Sequence, residues 1–395
     1  MTPPGSAREV GVAFLKLGLS SFGGPIAHLG YFHREFVERR RWVDEEHFGQ
    51  LLALCQFLPG PASSQMGFSL GLLRAGWLGG LAAFIGFTLP SAILLFVFAA
   101  FNSSLAGPWG QAAMHGLKLV AVAVVAQGVL GMARTLTPDR TRALMAAAAA
   151  GLIAISSSAW MQLLIVICGA VLGPRLCRQI VARQGETFAL PYGQRTGSVL
   201  LLTYGALLMI ALSIAPSLSP LGQAAGAFYR AGALVFGGGH VVLPLLKESV
   251  VDPGWISNDT FLAGYGAAQA IPGPMFSISA FLGERLHDRQ SGVSAAVSVL
   301  AIFLPGMLLV AGALPFWQTL GRRNGAARML AGVNAAVVGL LAAALYDPVW
   351  IGAVRNASDF AIAVIAFTLL AAARAPVLAV VAWCVGAALS QHALT

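Results

Sequence analysis

Charged side chains make up only 10% of this 395-residue chain, against 57% hydrophobic residues and a mean hydropathy of +0.78. A soluble domain carries about 25% charged residues, so a water-facing globule is excluded and a polytopic membrane protein is implied. The four cysteines, Cys55, Cys168, Cys177 and Cys384, include no Cys-x-x-Cys pair. They support neither a metal site nor a disulfide framework. No Gly-x-x-x-x-Gly-Lys-Ser/Thr run occurs, so direct coupling to ATP through this chain is not expected. Carboxylates are missing from the middle of every apolar run: all fifteen acids, for example Glu9, Glu35, Glu248, Asp347 and Asp359, lie in loops or near helix ends. No cofactor is expected. The net charge of +9 comes from basic residues in loops between apolar segments. There they orient membrane helices, and nucleic acid is not an expected partner.

The apolar runs at 77–103, 109–133, 196–215, 292–317 and 329–346 each approach or exceed the ~20 residues that cross a hydrocarbon core as helix. Residues 143–172 and 359–391 read as pairs of shorter helices, and residues 1–9 lack the pattern of a cleavable leader. One pattern is written twice. The first copy has Phe14, Lys16, Gly18, Phe22-Gly23-Gly24, Trp42, Phe48, Gln56 and Pro59-Gly60-Pro61; the second has Phe228, Arg230, Gly232, Phe236-Gly237-Gly238, Trp255, Phe261, Gln269 and Pro272-Gly273-Pro274. The offset is 214 at the start (228 minus 14) and 213 at the end (272 minus 59). Residues 1–195 form one half on this reading, and residues 196–395 form a linking helix plus the second half.

Basic content swaps between equivalent loops, as it should if the halves are inverted. Residues 33–46 hold Arg34, Arg39, Arg40 and Arg41, whereas 247–259 holds Lys247 among Glu248, Asp252 and Asp259. Arg134, Arg140 and Arg142 face a counterpart, 347–358, with only Arg355. The positive-inside rule then puts 33–46, 134–142, 173–195 and 321–328 in the cytoplasm. The expected fold is an all-α membrane protein of two inverted-topology repeats, with re-entrant broken helices and about nine full crossings. Arg285 and Arg289 run against this assignment, weakened by Glu284 and Asp288 beside them.

Backbone that leaves helical geometry within lipid survives only when it is buried in protein or lines a wet cavity. Gly23-Gly24-Pro25 and Gly237-Gly238-Gly239 offer bare backbone, and the two Pro-Gly-Pro breaks end one half-helix and start another. A helix starting at Ala62 or Met275 would aim free N–H groups at an anion, with hydroxyls following at Ser63, Ser64, Ser277 and Ser279. Lys16, Lys118 and Arg230 fall inside apolar segments. With no interior carboxylate to neutralise them, an anionic substrate is their natural partner, and snorkelling to the interface is the ordinary alternative. Gln56 and Gln269 precede the proline breaks by one helical turn and could donate to the pocket or serve as glue between helices. His28 and His240 lie just beyond the glycine breaks and could relay protons or be structural.

As an ordered set, Phe14-x-Lys16-x-Gly18, Phe22-Gly23-Gly24-Pro25, Pro59-Gly60-Pro61, Phe236-Gly237-Gly238-Gly239-His240 and Pro272-Gly273-Pro274 resemble the chromate ion transporter family in its long, two-domain form. The resemblance covers essentially the whole chain. It implies a carrier in the bacterial inner membrane that exports chromate from the cytoplasm and so confers resistance, with sulfate as competitor or counter-substrate. The second copy departs by putting Gly239 where the first has Pro25, and Asn334 where it has Lys118, so the half-sites are not equivalent. An anion channel remains a near alternative. An intramembrane enzyme acting on a lipid phosphate is a remote one, because it would need a positioned acid or base. The sequence leaves open whether the protein pairs into a homodimer.

Overall fold

The computed structural model describes residues 5–22, 24–101, 107–155, 159–180, 188, 190–213, 219–235, 242–286, 291–317 and 324–394. The described residues form helices and no strand. In chain order these are α1 (Ala7–Ser20), α2 (Gly24–His33), α3 (Glu45–Phe57), α4 (Ala62–Phe101), α5 (Pro108–Leu136), α6 (Arg140–Ile155), α7 (Ala159–Leu176) and α8 (Gln194–Ser213). The second half supplies α9 (Pro220–Leu234), α10 (Val242–Leu246), α11 (Asn258–Ala270), α12 (Ile278–Leu286), α13 (Ser291–Ala313), α14 (Asn324–Ala344), α15 (Ala357–Ala371) and α16 (Val377–Leu394). Five stretches are long and apolar enough to cross a membrane: α4, α5, α8, 292–316 and 327–353. Their outward faces carry bare apolar side chains such as Leu78, Leu202 and Leu300, as a surface solvated by lipid tails requires.

The duplicated sequence folds into duplicated elements. Both ends of α3 lie 213 positions before those of α11 (258 minus 45, 270 minus 57). Their caps correspond too: Asp44 accepts from the His47 N–H at the start of α3, and Ser257 accepts from the Thr260 N–H at the start of α11. Each satisfies an N–H that the first helical turn leaves without a partner. Helix α4 is two arms, because Ala75 and Gly76 leave helical geometry, Gly76 with φ +64°. The first arm, residues 62–74, corresponds to residues 275–286, and the second, 77–101, corresponds to α13.

Three contacts draw distant segments to one end of the bundle. Glu9 in the first turn of α1 pairs with Arg74 at the end of the first arm of α4 (3.2 Å), the Gly5 N–H donates to the Arg74 carbonyl (2.9 Å), and Trp42 Nε1 donates to Glu9 (3.2 Å). The start of α1, the turn after α2 and the kink in α4 therefore lie together. In that turn, Arg40 and Arg39 bond Glu35 at 2.6 and 2.9 Å. Burial acts to raise the Glu35 pKa, but the hydrogen bonds and charges of the two arginines outweigh it and hold the carboxyl below its ordinary value. A depressed carboxylate pKa contributes stability that is present above the unfolded value and is lost as pH falls through the folded one. On acidification through that window, the melting temperature of the purified protein should drop more in the parent than in Glu35→Gln. Equal acid sensitivity would remove Glu35 from this account.

Beyond the breaks the helices cross over between the halves. Helix α5 packs on α15 and α16, while its counterpart α14 packs on α6 and α7. Mated glycines make both approaches close: a methyl at Gly116 would meet the backbone of Val385 in α16, and one at Gly332 would overlap Gly169 in α7. Small residues serve this purpose between membrane helices, where van der Waals packing replaces the hydrophobic effect.

Candidate functional site

Proline makes each break. Pro59 and Pro61 lack the N–H that would continue α3. Gly60 between them takes φ +127°, and Gly273 in the second copy takes φ +107°. The freed N–H groups bond across the halves: Gly60 donates to the Val235 carbonyl at 2.7 Å, and Gly273 donates to the Ser21 carbonyl at 2.9 Å. The glycines are repeat mates (273 minus 60 is 213), and so are the acceptors (235 minus 21 is 214). The same bond is therefore made twice in exchanged form. Each bond joins a Pro-Gly-Pro break of one half to the residue just before the Phe-Gly-Gly sequence of the other.

A third mated pair lines these junctions. Pro90 lies within the second arm of α4 and Pro305 within α13; the residues that follow them, Ser91 and Gly306, abut the break glycines. A Cβ on Gly60 would lie 2.7 Å from Gln65 Nε2 and 3.0 Å from the Gly306 Cα, and one on Gly273 would lie 2.8 Å from Ser91 Oγ. Gln65 Nε2 donates to the carbonyls of Pro59 (2.9 Å) and Gly306 (3.1 Å). The Ser91 hydroxyl donates to the Thr88 carbonyl (2.9 Å) and lies 2.7 Å from the Ser277 hydroxyl, which then supplies the hydrogen between the two. His28, fully buried, lies with Nε2 3.2 Å from the Ser21 carbonyl and its ring edge-on to Phe87. A carbonyl only accepts, so Nε2 carries the proton.

Buried polar atoms without a protein partner gather on these segments: Ser21 Oγ, His28 Nδ1, Ser64 Oγ, Gln65 Oε1 and Thr88 Oγ1. Such groups cost stability unless something bonds to them. Here they offer several hydroxyls and one imidazole nitrogen beside two helix starts.

The sequence-derived candidates divide. Pro59, Gly60, Pro61, Ser63, Ser64, Pro272, Gly273, Pro274 and Ser277 lie at the junctions, and all but the half-buried Pro59 are buried. Gly24 opens α2 with φ +76° beside a half-buried Phe22. Gly23 and Phe236, Gly237, Gly238, Gly239 and His240 lie outside the described residues. Gln269 is buried and donates to Met275 Sδ, whereas its mate Gln56 is exposed. Lys16 is exposed on α1, while its mate Arg230 is half-buried and donates to the Ala211 carbonyl of α8 (2.9 Å).

The expectation that no carboxylate reaches the interior cations is corrected. Lys118, 5% exposed, bonds Asp259 Oδ1 at 2.6 Å, and Arg355 approaches Asp259 Oδ2 at 3.6 Å. Asp259 does sit at a helix end, but α11 leans on α5 and the long lysine side chain spans the remaining distance. Gln65, Thr88, Ser91, Asp259 and Arg355 escaped the sequence reading. The mated Pro90 and Pro305 were the signal that would have drawn in the first three. Among the described residues no group of His, Cys, Asp or Glu could hold a metal ion.

The family profile for chromate transporters matches residues 8–174 and again 222–390. The chromate transport protein of Pseudomonas aeruginosa is 28% identical over 364 residues, covering 87% of this chain and 82% of its own. That of Cupriavidus metallidurans is 26% identical, with 87% and 82% covered. An uncharacterized transporter of Methanocaldococcus jannaschii is 24% identical, with 86% and 83% covered. No solved structure matches the chain. These likenesses mark a transporter rather than an enzyme, and one that spans the membrane several times. With the profile matching once in each half and nearly to both ends, the chain belongs to the chromate transporter family.

Proposed function

We propose that the protein exports chromate across the bacterial inner membrane by alternating access around the four mated breaks, with sulfate as competitor or exchanged anion. The observation that carries this reading is the exchanged pair of bonds, Gly60 to Val235 and Gly273 to Ser21. Paired broken segments from two repeats are where membrane carriers hold a solute. The names of the relatives from Pseudomonas aeruginosa and Cupriavidus metallidurans supply the choice of chromate. In this reading residues 1–195 and 196–395 are halves of inverted topology, in a chain of about nine crossings. The Glu9–Arg74 and Glu9–Trp42 contacts support re-entrant hairpins, since they return both broken segments of the first half to the end where they began.

Chromate is a tetrahedral dianion, and each part of the junction answers one of its needs. Half-helix starts at Ala62 and Met275 present N–H groups and positive dipole ends, and hydroxyls such as Ser64 supply directional bonds. Lys16, Arg230 and Lys118, whose side chains bond to no junction residue among those described, offset charge along the route to it. Radiolabelled chromate flux in proteoliposomes, with sulfate, a pH gradient and a potential imposed one at a time, tests the reading. Trans-stimulation by the opposing anion is expected of a carrier, and its absence would indicate a pore. Loss of a charge-assisted contact predicts that Lys16→Ala and Arg230→Ala each slow flux about tenfold. Unchanged rates in both would remove the charge role.

A further inference from the structure

The two half-sites are not in the same state. Every residue of α11 from Phe261 to Gln269 is buried, whereas on α3 only Phe48, Leu51, Leu54 and Cys55 are buried and Gln56 is exposed. Helix α11 packs along α5, and α3 has no such packing on α14 among the described residues. The sequence explains why only one side closes this tightly. Gly266 lets α11 rest on the Leu117 carbonyl, which a methyl there would overlap; its mate in α3, Ala53, carries that methyl. Asp259 is held by Lys118, whereas the mated residues are Glu46 and Asn334, which lack the opposite charge.

We propose that Lys118, Asp259 and Arg355 form the gate of the α11 side, closed in this structure, which the transported oxyanion opens by taking the place of the Asp259 carboxylate. The carboxylate presents one oxygen to each cation, Oδ1 to Lys118 and Oδ2 to Arg355. A tetrahedral dianion offers the same two acceptors with more charge, so it competes for this cleft on its way past α5. Released from both cations, the first turn of α11 swings from α5 and opens the packed face between Phe261 and Gln269. Among the described residues the α3 side has no lysine–carboxylate latch onto α14; its contacts include Trp317 Nε1 donating to Gln50 at 3.0 Å and His33 beside Glu45 at 2.7 Å. This inference rests on the transport reading above.

The test uses the full chain in proteoliposomes, with the four native cysteines replaced and Ala263→Cys introduced as a reporter on the buried face of α11. Labelling by a membrane-impermeant maleimide is expected to be slow in this parent and several-fold faster with chromate present. Adding Asp259→Asn or Gly266→Ala should raise the rate without chromate by about tenfold, which corresponds to a shift of about 1.4 kcal/mol in the closed–open balance. Gly266→Ala acts by overlap instead of charge, so it keeps the test decisive if Asp259→Asn does not fold. Parent-like labelling in the folded variants, with or without chromate, overturns the gate. Chromate flux in the same vesicles separates the two ideas. Flux with unchanged labelling sinks the gate alone. Fast labelling in the variants from a parent that moves no chromate sinks the substrate assignment and keeps the latch.

Discussion

Gly60→Ala and Gly273→Ala should each abolish chromate flux in proteoliposomes and lower the melting temperature of the purified protein. At φ +127° and +107° the two glycines occupy backbone space that L side chains rarely enter, a cost of about 1–3 kcal/mol. The new methyl also has nowhere to go. At Gly60 it meets the flexible end of Gln65, which can move, but also the Gly306 Cα at 3.0 Å, which is backbone; at Gly273 it meets Ser91 Oγ at 2.8 Å and the Phe87 carbonyl at 3.3 Å. Overpacking of this kind adds about 1–3 kcal/mol. Relief of the strain would pull the Gly60 or Gly273 N–H off its carbonyl in the other half, so damage at one break is transmitted to both repeats. Gly24→Ala provides the control, because Gly24 has φ +76° but nothing within 4 Å of a Cβ. It should lose stability through backbone strain alone and retain more flux. Wild-type flux in both break variants would show that the exchanged bonds are dispensable.

Asp359→Ala should be the most destabilising single change outside the breaks, by about 3 kcal/mol, the scale on which removing one partner strands a buried charge or donor. The carboxylate is 0% exposed. One oxygen takes His115 Nε2 at 2.9 Å, the other takes the Arg355 N–H at 3.0 Å, and the Asp359 N–H is itself capped by Asn356 Oδ1. The residue thus ties α5 to the start of α15 and fixes the backbone of Arg355, whose guanidinium faces Asp259. It also places negative charge in a first helical turn, where the dipole favours it. Asp359→Asn retains acceptor capacity for one of the two donors and should lose less than half as much. Thermal unfolding of the three proteins in detergent measures the difference, and equal melting temperatures for parent and Asp359→Ala would refute the role of this junction.

The mated register of 213 to 214 positions, the long apolar helices and the proline breaks were all legible in the sequence, because they depend on local covalent facts. A proline has no N–H wherever it sits, and about twenty apolar residues span a bilayer as helix in any context. Locality also limited the reading. The run at 77–103 begins where the sequence places a helix, just after Ala75 and Gly76 leave helical geometry, but nothing local shows that the preceding arm folds back on it with Gly71 against Gly79. A glycine in an apolar run does not by itself announce a positive φ.

Tertiary structure alone decided which groups meet. The sequence marked Gly60 as a bare, unpaired N–H but could not show that Val235 accepts it. It marked Lys118 as a cation in need of a partner but not that Asp259, 141 positions on (259 minus 118), would supply it. The crossing of α5 onto α15 and α16 was equally hidden, as was the burial of Gln269 while Gln56 stays exposed. Contacts between remote segments depend on the angle and separation at which whole helices pack. Those are set by many small steric fits acting together, such as Gly116 on Val385 and Gly266 on Leu117, and no single stretch of the chain contains them.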